Sequence, residues 1–223
     1  SSQRGSYGVD ITSSYLLEIT GNSFIPPNAR PININAYSTS TVNHTIDITN
    51  TVNGKPIYYY HNNNSVIVEN NQNIGQLILA FCENFTVRNI TLDTFGILLN
   101  SVYNSSFINN TINLNSSGGI GLYFNGDSSY NNNIIGNNIT VSGTDSFCLR
   151  TIYFYNNSFT NNLCLSGHYG LYLELSDNNS VENNVVNADA FGIYFLLSSG
   201  DNRLINNNLS SFSTYNIRDT SGN

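Results

Sequence analysis

The segment Phe107-Ile-Asn109-Asn-Thr-Ile112 decides the fold, because its pattern of apolar, any, Asn, any, any, apolar returns along the chain. Four further segments share it: Val87-Arg-Asn89-Ile-Thr-Leu92, Phe159-Thr-Asn161-Asn-Leu-Cys164, Val181-Glu-Asn183-Asn-Val-Val186 and Leu204-Ile-Asn206-Asn-Asn-Leu209. A sixth, Ile135-Gly-Asn137-Asn-Ile-Thr140, departs at its last position. From Asn to Asn the intervals are 20, 28, 24, 22 and 23 residues, which is the length of one solenoid coil.

A second motif keeps the same spacing: Gly-hydrophobic runs begin at Gly96, Gly121, Gly170 and Gly192. Short β-rich runs after turn residues predict strands. A leucine-rich repeat has a similar period, but it needs a regular Leu framework, and no stretch shows the 3.6-residue period of a helix. The sequence therefore predicts an all-β fold, a right-handed parallel β-helix with coils of about 20–28 residues.

The recurring Asn predicts an internal ladder. Stacked coils lie about 4.8 Å apart, so the same side chain recurs above itself. An amide can donate to one neighbour and accept from the next, and Asn tolerates the left-handed conformation of a sharp corner. We expect six inward-pointing members: Asn89, Asn109, Asn137, Asn161, Asn183 and Asn206.

The chain divides into regular and irregular parts of one domain, residues 1–223. Residues 7–24 resemble a first coil with Gly21 at the ladder position, and residues 25–44 are a predicted excursion that contains Pro26, Pro27 and Pro31. Within it, residues 28–37 read as a loop, because proline cannot donate to a sheet ladder. Regular coils follow over 45–217, and 218–223 form a tail without a polar cap, which predicts continuation or stacking onto another subunit.

Composition excludes several classes of protein. Only 9% of the residues are charged, the net charge is −7, and 42 residues are Asn, so amides and hydroxyls supply the polar surface. The basic residues are scattered singly, which argues against a nucleic-acid partner. No apolar run approaches the roughly 20 residues of a membrane span. The absence of Met suggests a processed product, a trimmed chain or a piece of a longer protein.

The three cysteines, Cys82, Cys148 and Cys164, match no zinc-binding spacing. The favoured interpretation is that they are small buried hydrophobic residues. The alternative is one disulfide, between Cys148 and Cys164, which an extracellular location would permit.

Catalysis on this fold would need paired carboxylates on one face. The candidates are Glu174 with Asp177, Glu182 or Asp189. No Lys, His or Arg lies in register with them, so solvated surface acids are the favoured interpretation.

Tyrosines recur beside the Gly-led strands, at Tyr58, Tyr59, Tyr60, Tyr123, Tyr153, Tyr155, Tyr169, Tyr172 and Tyr194. Tyr123, Tyr172 and Tyr194 share one position after the Gly, which predicts a single column. A core ladder is the favoured interpretation of that column. The alternative is an outward platform for sugar rings.

Eleven Asn-X-Ser/Thr sequons provide candidate N-glycan acceptors: Asn43, Asn63, Asn84, Asn89, Asn104, Asn109, Asn115, Asn138, Asn156, Asn178 and Asn208. Asn84, Asn104, Asn156 and Asn178 each lie five residues before a ladder Asn and form one column. Asn89 and Asn109 should be inaccessible as ladder members. We expect glycosylation at some of the other nine, although an Asx turn would need the same residues.

The ordered segments Asn50-Thr-Val-Asn-Gly-Lys-Pro-Ile-Tyr-Tyr-Tyr60 and Ile74-Gly-Gln-Leu-Ile-Leu-Ala-Phe-Cys82, followed by the Asn-rich coils, resemble the NosD-type, or periplasmic copper-binding, β-helix repeat family of archaeal surface proteins. The resemblance covers about residues 45–210 and implies the solenoid. Such repeats are also similar to those of carbohydrate-binding and sugar-hydrolase solenoids. Copper would require clustered His, Met or Cys, whereas His44, His61 and His168 are spread along the sequence, so we expect no metal and no cofactor.

These observations together predict a non-catalytic extracellular structural module of a surface layer, sheath or filament. Its expected partners are covalent N-glycans and copies of itself or other surface-protein subunits. The alternative is a β-helix protein that binds or cleaves polysaccharide. An exposed groove with close carboxylates would favour cleavage, and a smooth polar face would favour the scaffold.

Overall fold

The computed structural model describes residues 6–25, 29–197, 199–211 and 213–222. It confirms a parallel β-solenoid of about nine turns, with 29 strands and one short 3₁₀ turn (Thr39–Val42) in the described chain. The described strands pair in parallel, except that β6 (Thr51–Val52) pairs in antiparallel fashion with the next strand, β7 (Lys55–His61). Successive coils bury each other's apolar faces.

Three main sheets wrap around one core, and each coil between β9 and β28 contributes to all three. Sheet I has twelve strands: β3 (Ser23–Phe24), β6, β7, β9 (Gln76–Glu83), β12 (Ile97–Tyr103), β15 (Ile120–Asn125), β16 (Ser129–Tyr130), β19 (Phe147–Ile152), β20 (Phe154–Tyr155), β23 (Tyr169–Glu174), β26 (Phe191–Leu196) and β29 (Tyr215–Thr220). Sheet II has seven: β8 (Ile67–Glu69), β10 (Thr86–Arg88), β13 (Ser106–Ile108), β17 (Asn133–Ile135), β21 (Ser158–Thr160), β24 (Ser180–Glu182) and β27 (Arg203–Ile205). Sheet III has six: β11 (Thr91–Leu92), β14 (Thr111–Asn115), β18 (Asn138–Ser142), β22 (Leu163–Ser166), β25 (Val185–Ala188) and β28 (Asn208–Ser211).

The core consists of inward columns in strict register. On sheet II the column contains Val68, Val87, Phe107, Ile134, Phe159, Val181 and Leu204. Parallel columns on the other two sheets complete one apolar cluster through the coils. Burying each large side chain contributes about 1.5–3 kcal/mol, so every coil is stabilised by the coils on either side of it.

The polar ladder is real, but the prediction placed all but one of its members one residue too early. The ladder asparagines are Asn110, Asn137, Asn162, Asn184 and Asn207, of which the first four are buried and Asn207 is partly buried. From Asn137 onward, each side-chain oxygen accepts the backbone N–H of the preceding member. In the first coil, Ile90 N–H donates to Asn110 in the same way. The pairs are separated by 20, 27, 25, 22 and 23 residues.

The residues predicted to point inward occupy the corner just before the ladder. Asn89, Asn109, Asn161, Asn183 and Asn206 have φ between 52° and 57° and are exposed, and only Asn137 was placed correctly. Their left-handed backbone breaks strand alternation, so two consecutive side chains point outward and the next one points inward. In the coil of Asn137 the corner residue is Gly136, with φ 65°. Gly136 therefore corresponds to Asn109, and Asn137 corresponds to Asn110.

A second ladder lies one corner upstream. It runs through Ser105, Asn132, Asn157, Asn179 and Asn202, again by side-chain oxygens that accept backbone N–H groups. The nitrogen of each of these Asn side chains donates to a backbone carbonyl of another coil. Both corners of sheet II therefore satisfy their buried backbone groups with asparagine.

The irregular N-terminal part contains more strand than predicted. Residues 29–35 of the expected excursion form β4 (Ala29–Asn35), which pairs in parallel with β1 (Ser6–Thr12). Pro31 is accommodated because β4 pairs with only one described neighbour. Pro26, Pro27 and Asn28 lie outside the described residues. In the first coil, Gly21 occupies the left-handed corner with φ 68°, and Asn22 bonds to Asn50 as a ladder pair.

Strands β1 and β4 form a cover over part of sheet I. Gln76 in β9 accepts the Ile32 N–H at 3.2 Å and donates to the Ile32 carbonyl at 2.7 Å. Ile11, Ile32 and Ile34 pack against the outer side of sheet I in a second apolar cluster. A short pair, β2 (Glu18–Ile19) with β5 (Thr45–Ile46), completes this region.

At the other end, β29 carries the solenoid to Thr220, past the predicted boundary at 217 and into the expected tail. Asn223 lies outside the described residues. No helix in the described chain is long and apolar enough to cross a membrane.

Two of the three cysteines differ from the favoured interpretation. Cys148 of β19 and Cys164 of β22 form a disulfide across the core, with Cα atoms 5.9 Å apart. The two positions face each other because both are inward residues of neighbouring strands around a bend. Cys82 is a free, buried thiol, as expected.

Candidate functional site

The outer side of sheet I changes character where the cover ends. Ile78, Leu98 and Ile120, beneath the cover, are buried. From β19 onward, the same side carries aromatic and basic residues, and all of them except the buried Phe191 are at least partly accessible. We define the aromatic–arginine face as Tyr123, Phe147, Arg150, Tyr169, Tyr172, Phe191, Tyr194, Tyr215 and Arg218.

One column of this face is a stack of rings. It consists of aromatic residues at paired positions of successive parallel strands: Phe147, Tyr169, Phe191 and Tyr215. The first two rings are parallel within 3° at 4.7 Å, the next pair within 8° at 5.1 Å, and the last within 24° at 6.2 Å. Because neighbouring rings cover each other's faces, this column offers mainly ring edges and tyrosine hydroxyls to a ligand.

The neighbouring column contains the three tyrosines that the sequence aligned. Tyr123, Arg150, Tyr172, Tyr194 and Arg218 follow one another in register. The single column is confirmed, but the core-ladder interpretation is wrong. The core positions are the adjacent residues, such as Leu171 and Ile193, whereas Tyr172 and Tyr194 lie half-exposed on the outside. Tyr123 is buried only because the cover packs on it.

The ring of Tyr172 is oriented differently from the rings of the stack. Its ring stands at 82° to Phe147 and Tyr169 and at 86° to Tyr194, so it lies across the stack rather than within it. Burial raises its pKa to about 12, and burial also raises the pKa of Tyr169. Both phenols therefore stay neutral at physiological pH and can donate as well as accept a hydrogen bond.

Arginines are held over the rings. The Arg150 guanidinium carbon lies 5.3 Å from the Tyr123 ring centre and 5.8 Å from that of Tyr172. Arg218 lies 5.0 Å from Tyr194 and 5.3 Å from Phe191. Such cation–π contacts fix a guanidinium in place while its in-plane N–H groups stay available.

The other predicted tyrosines do not join this face. The Tyr59 hydroxyl donates to the Val42 carbonyl, and Tyr60 packs edge-on against Phe85. Tyr58 packs against the main apolar cluster. Tyr153 lies in a left-handed turn, and Tyr155 follows it in β20.

The candidate carboxylates are distributed over different parts of the coil. Glu174 ends β23 of sheet I, and Glu182 ends β24 of sheet II, where it pairs with Arg203. Asp177 accepts the Gly200 N–H in a corner, and Asp189 lies exposed beyond β25. The predicted acid pairs thus do not share one sheet face, which removes the geometric basis for a glycosidase among these four residues.

All eleven sequon asparagines are exposed. Asn89 and Asn109, expected to be inaccessible, are exposed because they occupy the corner rather than the ladder. Asn84, Asn104, Asn156 and Asn178 form the predicted column, with φ between 48° and 57°. Parts of this column are hydrogen-bonded, as Asn104 bonds to Asn131 and Asn178 to Asn156. Hydrogen bonding between coils and glycan attachment would therefore compete for the same amides.

The donors that could bind a soft metal are dispersed or occupied. His44 is buried and its Nδ1 accepts the Leu17 N–H, while His61 stacks on Tyr59. His168 pairs with Asp145, and Cys148 and Cys164 are joined. No group of three His, Cys, Asp or Glu side chains in the described chain could hold a metal ion.

The architecture and the outer face together define the class: a parallel β-helix protein with an aromatic and basic surface along one sheet. Within that class, the family described as periplasmic copper-binding protein (NosD) matches residues 17–223, and the chain belongs to this family. The match confirms the resemblance and extends it beyond residues 45–210. No curated protein matches the chain, and no solved structure does.

The family's copper does not fit this chain. Copper sites use imidazole, thiolate and thioether ligands gathered in one place. Here there is no Met, the only free thiol is buried, and burial raises its pKa to about 11. Burial also lowers the pKa of His44 and His61, but their rings are held by a backbone bond and by stacking.

Proposed function

We propose that the chain is an exported, non-catalytic β-helix module that binds polysaccharide along the aromatic–arginine face. The observation that carries this proposal is the change in sheet I: its outer side is sealed by the cover over one half and left as accessible rings and guanidiniums over the other. Export accords with membership of a family described as periplasmic.

The face suits an extended, hydroxyl-rich ligand. Its side chains are immobilised by stacking and cation–π contacts, so little rotamer entropy remains to be lost on binding. Tyrosine presents an apolar ring and a polar hydroxyl together, which matches the alternating apolar and polar surfaces of a sugar chain. Columns that run along the solenoid axis favour a polymer lying across several coils.

Binding of the purified protein to a panel of soluble polysaccharides, measured by titration calorimetry, tests the proposal. The double variant Tyr172→Ala/Tyr194→Ala should bind roughly tenfold more weakly, since two aromatic contacts contribute about 1–3 kcal/mol together. Tyr15→Ala, at a tyrosine that is 63% exposed and off this face, is the matched control and should bind like the unchanged protein. No binding to any polysaccharide, or equal losses in both variants, would refute the proposal.

A second candidate function is a glycosylated structural module of a surface layer, sheath or filament, possible in combination with the first. The exposure of every sequon asparagine supports it. Intact mass of the native protein before and after chemical deglycosylation tests the modification, with an excess over 24.6 kDa expected at Asn84, Asn104, Asn156 or Asn178. Sedimentation over a concentration series tests self-association. An unmodified, monomeric protein would remove this candidate.

A further inference from the structure

The basic residues within the described ranges of this acidic chain fall into two groups. Lys55, Arg88 and Arg203 are each paired with a carboxylate on the surface. Arg30, Arg150 and Arg218 have no carboxylate within ion-pair distance among the described residues, and all three lie over aromatic rings at or beside the aromatic–arginine face. Among the described residues of a chain with net charge −7, the positive charge without an ion-pair partner is therefore gathered in one place.

Two of these arginines also have hydrogen-bonding capacity that the described chain leaves unused. Arg30, from the edge of the cover, lies 4.8 Å from the Tyr123 ring centre, and Arg150 lies 5.3 Å from the same ring. Arg30 Nη1 and Arg150 Nε are buried without an acceptor in the described structure. A buried N–H without a partner is destabilising by about 1–3 kcal/mol. An anion paired with the other N–H groups of the same guanidinium would offset that cost by compensating its charge.

The chemistry of the missing acceptor follows from the guanidinium. Its faces are directed at rings, and its edges carry N–H groups in a planar fork that matches the two oxygens of a carboxylate or sulfate. A neutral hydroxyl would satisfy one N–H but would leave the charge uncompensated. The burial that lowers the pKa of Arg30 also weakens its hydration, which favours an anionic partner.

We propose that the polysaccharide bound by this face is anionic, with carboxylate or sulfate groups paired to Arg150 and Arg218 and to Arg30 at the edge of the cover. This inference rests on the proposed function and specifies its ligand. Arg150 and Arg218 are separated by two tyrosine rungs, so their charges lie about 14 Å apart along the axis. A chain with repeated anionic groups can engage both arginines while its rings lie over Tyr172 and Tyr194.

The experiment compares three polymers of similar length by calorimetry: a polyuronate, a sulfated glucan and a neutral glucan. At least one anionic polymer should bind roughly tenfold or more tightly than the neutral one, and its affinity should fall with added salt. Arg150→Gln and Arg218→Gln should each weaken that binding roughly tenfold, a larger loss than either variant causes for the neutral polymer. Arg88→Gln, at a surface arginine already paired with Glu69, is the matched control.

The outcomes separate the two proposals. Preference for the polyuronate identifies carboxylate as the recognised group, and preference for the sulfated glucan identifies sulfate. Equal binding of neutral and anionic polymers, insensitive to Arg150→Gln and Arg218→Gln, would overturn the anionic ligand and leave polysaccharide binding intact. No binding of any polymer by a folded protein, checked by far-UV circular dichroism, would overturn both.

Discussion

Replacing one ladder asparagine by alanine should be far more damaging than replacing its neighbour in the sequence. Asn162 lies in the middle of the ladder. Its side-chain oxygen accepts from the Asn137 backbone N–H at 2.8 Å and from the Asn137 amide at 2.9 Å. Its nitrogen donates to the Ile134 carbonyl at 2.8 Å and to the Asn184 amide oxygen at 3.0 Å.

The magnitude follows from the groups left behind. Asn162→Ala removes all four of those hydrogen bonds, while the Asn137 N–H and the Ile134 carbonyl remain buried. Each buried group left without a partner costs about 1–3 kcal/mol, so the loss of two partners should lower the free energy of unfolding by about 2–6 kcal/mol. Asn161→Ala, at an exposed corner with φ 57°, loses only the tolerance of Asn for that conformation, about 1 kcal/mol.

Urea denaturation of both variants, followed by circular dichroism, measures the difference directly. Asn161→Gly serves as a further control, since glycine accepts the corner conformation and should be close to the unchanged protein in stability. If Asn161→Ala were as damaging as Asn162→Ala, the assignment of the inward position would be wrong. An unchanged midpoint in Asn162→Ala would refute the reasoning on buried hydrogen bonds.

Three further predictions concern the core. Reduction of the Cys148–Cys164 disulfide, which closes a separation of 16 residues, should lower the free energy of unfolding by about 3 kcal/mol. Denaturation with and without reductant measures this difference, which should be the same in Cys82→Ala. Burial raises the pKa of Cys82 to about 11 from 9.0, so its thiol ionises first in the unfolded chain. The free energy of unfolding should therefore be constant below about pH 9 and fall by up to about 1.4 kcal/mol per pH unit towards pH 11. Denaturation curves of Cys82→Ala, measured in parallel, should show a smaller fall. Gly96→Ala should lower the free energy of unfolding by several kcal/mol in the same assay, because its Cβ would overlap the backbone carbonyls of Ile120 and Gly121. In the control Gly54→Ala the Cβ meets open space, so only the positive φ should reduce stability. Comparable midpoints for the two variants would contradict the close approach at Gly96.

The fold could be predicted from the sequence because the repeat is visible in both the apolar positions and the corner residues. The coil length, the three-sheet core and the existence of an asparagine ladder all follow from residues that recur at the same place. What it did not resolve was which Asn of each Asn-Asn pair points inward. Gly21 and Gly136 were the available signal, because glycine stands where the backbone must be left-handed, and Ile90 marked the inward position in an early coil.

The functional face could be predicted only in part. The column of Tyr123, Tyr172 and Tyr194 was visible from the Gly-led strands, but Arg150 was not, because Cys148 replaces the Gly of that motif in its coil. Which side of the sheet is buried depended on the cover, whose strands β1 and β4 are irregular and separated by prolines. Alternation alone cannot distinguish an inner column from an outer one when both carry aromatic residues.

Covalent footprinting of the protein in the presence of a bound anionic polysaccharide tests the central claim most directly. We expect reduced labelling of Tyr172, Tyr194 and Tyr169, with labelling of sheets II and III and of exposed Tyr15 unchanged. Protection confined to sheet II or III, with the aromatic–arginine face labelled as in the free protein, would contradict it.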